Sequence, residues 1–153
     1  MSGGDLYHSI MAHEDFLEEE VQGILYQTLS ALYFLHSKRI VFRDLKADNL
    51  MLKHKKGGDE KIEIKLCDFG LAGYMMPGEE GLTGFAGTEV YMAPEVMGHH
   101  NYFAQIQEPQ PYDYKADVFS LGCLAYELVR GVTPFEDYYV NGNQINFYKS
   151  VMI

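Results

Sequence analysis

Positive charge is scarce in this sequence. Its 153 residues include 12 Lys and Arg but 22 Asp and Glu, so the formal net charge is −10 at neutral pH. Surfaces that bind nucleic acids or anionic membranes need clustered Lys and Arg. The shortage argues against both of these partners, and it favours a protein or peptide partner that is basic or neutral.

Cysteine and long apolar runs are scarce as well. The two cysteines, Cys67 and Cys123, each lie among apolar neighbours, which favours buried free thiols in a reducing compartment over a disulfide. The sequence shows no signal peptide and no run of about 18 apolar residues. We therefore expect a soluble, cytoplasmic chain, and its length is that of one domain.

Residues 41–52 carry the densest chemistry in the chain. They read V-F-R-D-L-K-A-D-N-L-M-L, and the apolar residues at 40–42 and 50–52 predict two short buried strands. The polar loop between these strands contains Arg43, Asp44, Lys46, Asp48 and Asn49. A polar loop held between two packed strands is a rigid platform for a reaction.

The residue types in this loop suit phosphoryl transfer. Asp44 is able to orient an attacking hydroxyl or accept its proton, and Lys46 supplies a positive charge for a phosphate. Asn49 offers a neutral oxygen of the kind that Mg²⁺ accepts. Taken alone, the same string is also typical of a solvated turn, so the loop by itself decides nothing.

Two later strings decide between these readings. C-D-F-G at residues 67–70 follows an apolar strand pattern and places Asp68 at a strand end, and A-P-E follows at residues 93–95. In this order and spacing, the three strings resemble the catalytic loop, the metal loop and the end of the activation segment of protein kinases. Lysine at position 46 is typical of the Ser/Thr type rather than the Tyr type.

The resemblance implies an α+β fold that is mainly α. The expected fold is a protein-kinase-like large lobe with short β-hairpins around the catalytic and metal loops, and with the small lobe absent. Residues 1–153 would form a partial kinase domain from the hinge to the G helix. Its parts are the catalytic loop at 42–49, the metal loop at 68–70, the activation segment at 68–95 and a central helix at about 116–130.

The resemblance also implies ATP and Mg²⁺ as cofactors. Asp44 would be the catalytic carboxylate, Lys46 would neutralise the transferred phosphate, and Asn49 and Asp68 would hold the metal ions. Met51 would lie under the adenine, with Leu6, Leu50 and Leu52 nearby, and Leu124 and Leu128 would continue this apolar column.

Other positions carry structural roles by resemblance. Asp117 would brace the backbone of the catalytic loop, and Thr88 would contact the catalytic aspartate and lysine. Phe42 replaces the usual histidine, and we expect it to stack on Phe69. Glu95 would pair with an arginine from C-terminal helices that the chain lacks.

The resemblance also implies residues for regulation and for substrate choice. Arg43 corresponds to the arginine that pairs with a phosphorylated activation-segment residue, and Thr83 is the nearest candidate acceptor. Thr83 lies one residue farther from Thr88 than in many Ser/Thr kinases, so this assignment stays open. Asp48 and Glu127 match positions that read a basic residue on the substrate, and we expect a preference for Arg or Lys upstream of the target hydroxyl.

Because nothing in the chain resembles a glycine-rich phosphate loop or its lysine strand, we expect little activity from these residues alone. Three readings therefore remain. The chain is an incompletely represented Ser/Thr kinase, a catalytically inactive kinase-lobe fragment that acts as a docking or scaffold module, or the product of a partial gene prediction.

The periodic patterns predict the helices. Leu6 and Ile10 predict a short helix, and a capping box at Asp15 and Glu18 predicts the start of a long helix that ends near Ser37. Residues 98–114 are treated as an insertion, whose two histidines we expect in a solvated loop rather than at a metal.

Overall fold

The computed structural model describes residues 3–12, 16–54, 61–100 and 108–136. Its helices and strands follow in chain order: α1 Leu6–Met11, α2 Glu18–Ser37, β1 Ile40–Val41, β2 Leu50–Leu52, β3 Ile64–Leu66, β4 Gly73–Tyr74, α3 Pro94–Met97 and α4 Lys115–Arg130. Single 3₁₀ turns occupy Ala47–Asn49 and Glu89–Tyr91. The expected mainly helical fold with small antiparallel sheets is confirmed.

The two N-terminal helices begin with different caps. Asp5 caps α1 by accepting a hydrogen bond from the His8 amide at 2.8 Å. Helix α2 has Leu17 at its N-cap, and the Glu20 carboxylate accepts from the Leu17 amide at 2.8 Å. The predicted cap was therefore wrong in register, because Glu20 rather than Glu18 is the capping acid, while Asp15 lies outside the described residues.

The strands form two separate antiparallel pairs. β2 pairs with β3, with Leu50 opposite Leu66, and this is the hairpin that the two apolar patterns predict. β1 pairs with β4, with Val41 opposite Gly73. This pairing connects the strand before the catalytic loop to the first part of the expected activation segment. Phe42, predicted in the first strand, lies beyond its end.

The main apolar core lies between α1, α2, α4 and the β2–β3 pair. Leu124 and Leu128 of α4 share this core with Leu6, Leu50 and Leu52, which confirms the predicted apolar column. Each fully buried leucine contributes about 1.5–3 kcal/mol relative to an exposed one. The β2–β3 hairpin and the loop before it are therefore supported by a packed apolar core.

The cysteine prediction was half right. Both thiols are free, but Cys123 is buried whereas Cys67 is only partly so. Burial raises the pKa of the Cys123 thiol to about 12, which makes it unreactive at neutral pH.

Two helices expose apolar side chains. Val118 and Val129 of helix α4 are exposed. On α2, Tyr26, Tyr33 and Phe34 are exposed as well. None of the helices in the described part of the chain has the length and apolarity needed to cross a bilayer.

Candidate active site

The loop after β1 is held from below by Asp117 of α4. This carboxylate is fully buried and accepts hydrogen bonds from the Phe42 and Arg43 amides, each at 2.8 Å, and from His36 Nε2 at 2.8 Å. Arg43 has a left-handed backbone, with φ of 68°. A left-handed residue allows successive N–H groups to point to one acceptor, and Asp117 therefore fixes the start of the loop as the sequence predicts.

Four side chains converge above this brace. Asp44 Oδ1 accepts from Thr88 Oγ1 at 2.7 Å, and Asp44 Oδ2 accepts from Asn49 Nδ2 at 3.1 Å. Lys46 Nζ donates to the same Thr88 hydroxyl at 2.9 Å and lies 3.5 Å from Asp44 Oδ2. The structure thus brings together the base, the cation, the amide and the threonine that the sequence singled out.

Gly87 allows Thr88 to reach this cluster. Its φ is +123°, and a Cβ at this position would lie 2.4 Å from the Arg43 carbonyl oxygen. Both the backbone conformation and the close approach exclude a side chain here. The glycine before Thr88 therefore has a steric role that the motif alone did not reveal.

The C-D-F-G string lies beside the loop. The Cys67 amide donates to the Asn49 carbonyl at 2.9 Å, and the ring of Phe69 packs edge-to-face on Phe42 with centroids 5.3 Å apart. The predicted contact between these two phenylalanines is confirmed. Because both neighbours of Asp68 contact the catalytic loop, the backbone of Asp68 lies beside that loop.

The donor set fits Mg²⁺. Asn49 uses its amide nitrogen toward Asp44, which leaves its Oδ1 for other contacts, and Asp68 is exposed with one oxygen bound to the Gly70 amide at 3.0 Å. Carboxylate and amide oxygens are the hard donors that Mg²⁺ prefers. Across the described ranges no cluster of three or more His, Cys, Asp or Glu forms a complete metal cage, and Mg²⁺ commonly completes its shell with phosphate oxygens and water.

Met51 is half-buried, and its backbone forms a bridge with Asp5. The three leucines expected near it, Leu6, Leu50 and Leu52, are at most 2% exposed. They therefore support Met51 from the core and offer no surface of their own to a ligand.

A cavity of about 380 Å³ opens next to Lys46 and Thr88. Asp48 and Glu127 both line it, as the substrate-reading assignment requires. Glu127 is only 3% exposed and accepts a hydrogen bond from the Tyr91 hydroxyl. Burial raises the pKa of Glu127, and it raises the pKa of Tyr91 as well. Tyr91 was not anticipated, since only the folded chain places it against Glu127.

Arg43 is occupied within the described structure. Its Nε donates to the Leu71 carbonyl at 2.6 Å, and its Nη1 donates to the Tyr112 hydroxyl at 3.3 Å. Thr83, the candidate phosphate acceptor, is exposed. Glu95 is half-buried, and it lines a small polar cavity that Lys115 also lines.

The histidine pair is packed rather than fully solvated. His99 Nδ1 accepts from the Gly84 amide at 3.1 Å, and its ring packs against Tyr112. His100 packs edge-to-face on Phe85. Residues 101–107 of the expected insertion lie outside the described part of the chain.

A braced loop with a carboxylate, lysine and asparagine, set beside a second carboxylate and closed by a threonine from a later segment, defines the large lobe of a protein kinase. Residues 1–152 match the protein kinase domain family, and the chain belongs to that family.

Several curated relatives of the Ser/Thr type are similar to it. The chain is 42% identical over 131 residues to serine/threonine-protein kinase fused of Drosophila melanogaster, and this match covers 86% of the chain and 14% of the relative. It is 42% identical to serine/threonine-protein kinase 36 of Mus musculus, over 86% of the chain and 9% of that relative. Calcium/calmodulin-dependent protein kinase type II of Caenorhabditis elegans is 36% identical, over 90% of the chain and 17% of the relative. The chain thus spans less than a fifth of each of these proteins.

Proposed function

We propose that this chain is the phosphoryl-transfer part of a Ser/Thr protein kinase, and that it acts on protein substrates with MgATP. The observation that carries the proposal is the joint contact of Asp44, Lys46 and Thr88, in which one hydroxyl bridges the carboxylate and the ammonium. A solvated turn would not produce this contact, because Thr88 comes from a segment distant in sequence.

Asp44 orients the substrate hydroxyl and accepts its proton. The bonds from Thr88 and Asn49 hold each of its oxygens in a fixed direction before substrate arrives, and such preorganisation lowers the barrier. The substrate oxygen bonds to the γ-phosphorus as the bond to ADP breaks, and Lys46 places its charge beside the transferred phosphoryl group. Mg²⁺, when bound by Asn49 and Asp68, neutralises phosphate charge.

The acidic cavity gives the proposed substrate preference. Asp48 is exposed and Glu127 is buried at the wall of the same cavity, which Lys46 also lines. A basic side chain near the target Ser or Thr would contact both carboxylates, and the net charge of −10 agrees in sign. We propose basic peptides as substrates, no nucleic-acid or membrane partner, and a cytoplasmic location.

The test uses a chimera in which this chain replaces the residues that it matches in the Drosophila relative, so that a complete kinase domain surrounds the site. The purified chimera is incubated with labelled ATP, Mg²⁺ and peptides that carry Ser, Thr or Tyr between Arg or Glu residues. We expect label on Ser and Thr of the Arg peptides. The unmodified chain, assayed in parallel, should be far slower.

A chimera that unfolds cooperatively and binds nucleotide, but transfers no phosphate, would contradict the proposal. That outcome would favour the reading of this lobe as a docking or scaffold module.

The Glu127→Gln variant should separate stability from substrate binding. Glutamine keeps an oxygen that accepts the hydrogen bond from the Tyr91 hydroxyl, but it never carries a negative charge. Because burial raises the pKa of Glu127, this carboxyl binds a proton more tightly in the folded wild type than in the unfolded chain. The unfolding free energy of the wild type is therefore highest below the ordinary carboxyl pKa of about 4.3, and it falls as the pH rises through the raised value. Urea unfolding of the chain should show that loss in the wild type and not in the variant.

In the chimera, the same change should raise the KM for an Arg peptide roughly tenfold, since one charge-assisted contact is lost. Glu136→Gln is the matched control, because Glu136 lines the same cavity but is exposed. If the stability of the wild type and that of Glu127→Gln change with pH in the same way, the role of the buried charge is refuted.

A further inference from the structure

The two ends of the expected insertion meet at the activation segment. Leu82 and Tyr112 exchange backbone hydrogen bonds, from the Leu82 amide to Tyr112 oxygen at 2.7 Å and from the Tyr112 amide to Leu82 oxygen at 2.9 Å. Gly81 permits this approach, since a Cβ there would lie 2.6 Å from the Tyr112 oxygen. The segment is thus fastened to residue 112 immediately before Thr83.

Side chains fasten the residue immediately after Thr83. The Tyr112 hydroxyl donates to the Gly84 carbonyl at 2.9 Å, and the Gly84 amide donates to His99 Nδ1 at 3.1 Å. His99 Nε2 lies 3.0 Å from the Gln110 carbonyl. A carbonyl only accepts, so Nε2 carries the proton and Nδ1 is left as an acceptor for Gly84.

The same tyrosine reaches the catalytic loop. Its hydroxyl accepts from Arg43 Nη1 at 3.3 Å while it donates to Gly84. Arg43 is directly followed by Asp44, and Asp117 accepts hydrogen bonds from the amides of Phe42 and of Arg43 itself. The tyrosine hydroxyl therefore joins the catalytic loop to the activation segment through one oxygen.

We infer that Tyr112, supported by His99, is a positioning residue that performs the task of an activation-segment phosphate. The inference deepens the proposed function and rests on it for its meaning, because the loop that Tyr112 fixes is the one that carries Asp44. Arg43 is joined to the segment by a neutral hydroxyl, so the segment is held at residues 82–84 without modification of Thr83. Phosphorylation of Thr83 is then not needed to order this segment.

Packing alone is the competing explanation for Tyr112. The residue is 2% exposed and shares an apolar cluster with Met92, Ala93 and Met97. Phenylalanine keeps the ring in that cluster and removes only the hydroxyl. The substitution Tyr112→Phe therefore tests the link between Arg43 and Gly84 and spares the core.

The experiment is hydrogen–deuterium exchange of the chain, read by mass spectrometry on peptides that cover residues 82–88. Losing one hydrogen bond should speed exchange there by roughly two- to tenfold in Tyr112→Phe. Tyr114→Phe is the matched control, because Tyr114 is exposed and phenylalanine keeps the ring that packs against His36. Thr83→Ala should likewise leave exchange unchanged.

The hydrogen bond between the Gly84 amide and His99 is tested by an independent pair of variants. Asparagine presents an oxygen near the position of Nδ1, so His99→Asn should retain the wild-type protection, whereas His99→Leu should lose it. Urea unfolding of each variant confirms that the fold is kept. Because none of these readouts needs catalysis, a failure here is distinguishable from an inactive chimera.

Unchanged exchange at residues 82–88 in both Tyr112→Phe and His99→Leu would overturn the inference. So would a chain phosphorylated at Thr83 whose exchange in this region slows tenfold or more relative to the unmodified chain, since the segment would then depend on the phosphate.

Discussion

The Asp44→Asn chimera is expected to lose roughly 10²- to 10⁴-fold in kcat, with little change in the KM for ATP. Asparagine keeps an oxygen that accepts from Thr88, but its NH2 group replaces the oxygen that accepts from Asn49 and faces Lys46. It offers no basic site for the proton of the attacking hydroxyl, and general-base catalysis contributes about this factor. Steady-state transfer of label to an Arg peptide at saturating MgATP measures the loss.

Asp113→Asn is the matched control for this change. Asp113 lies just before α4 and accepts from the Lys115 amide at 2.8 Å, and asparagine makes the same local side-chain to backbone bond. The control should retain wild-type kcat. A loss of less than tenfold in Asp44→Asn would show that Asp44 is dispensable and would remove it from the catalytic role.

The Asp117→Asn variant should lose about 3 kcal/mol of unfolding free energy, the largest effect on stability that we expect. The fully buried carboxylate uses both oxygens, one for Arg43 and the other for Phe42 and His36. An amide replaces one of these oxygens with a donor, so at least one buried N–H loses its acceptor and faces a second N–H. Urea unfolding, followed by far-ultraviolet circular dichroism, measures the difference.

Ser120→Ala controls for polar burial on the same helix. The Ser120 hydroxyl donates to the Tyr91 carbonyl at 2.8 Å, and its loss should cost about 1 kcal/mol. Equal losses for the two variants would mean that Asp117 is no more than an ordinary buried polar group.

Much of the catalytic loop was predictable because its chemistry is contiguous in sequence. Asp44, Lys46 and Asn49 lie within one short loop, and the apolar runs that flank it fix the β2–β3 hairpin by local pattern. The fold class followed from the same motifs and their order. Asp117 and Thr88 were assigned by resemblance, and the structure places both in contact with the loop.

What the sequence did not predict depends on contacts between distant residues. β4 consists of Gly73 and Tyr74 and has no periodic pattern, so only its pairing with β1 identifies it. Tyr112 and His99 carry no local signal, because their partners Arg43 and Gly84 come from other segments. The start of α2 was misplaced because the pattern of Asp15 and Glu18 mimics the capping arrangement that Leu17 and Glu20 form.

The backbone conformation at Asp68 limits which substitutions could remove metal binding without disrupting the fold. Its φ is 60°, a conformation that asparagine and glycine tolerate but β-branched residues do not. A lineage that abandoned metal binding could therefore keep its shape by drifting to asparagine, whereas valine or isoleucine would disrupt the neighbouring Cys67 and Phe69 contacts with the loop. At this position, loss of the metal ligand without loss of the local fold is therefore open to asparagine and glycine and closed to β-branched residues.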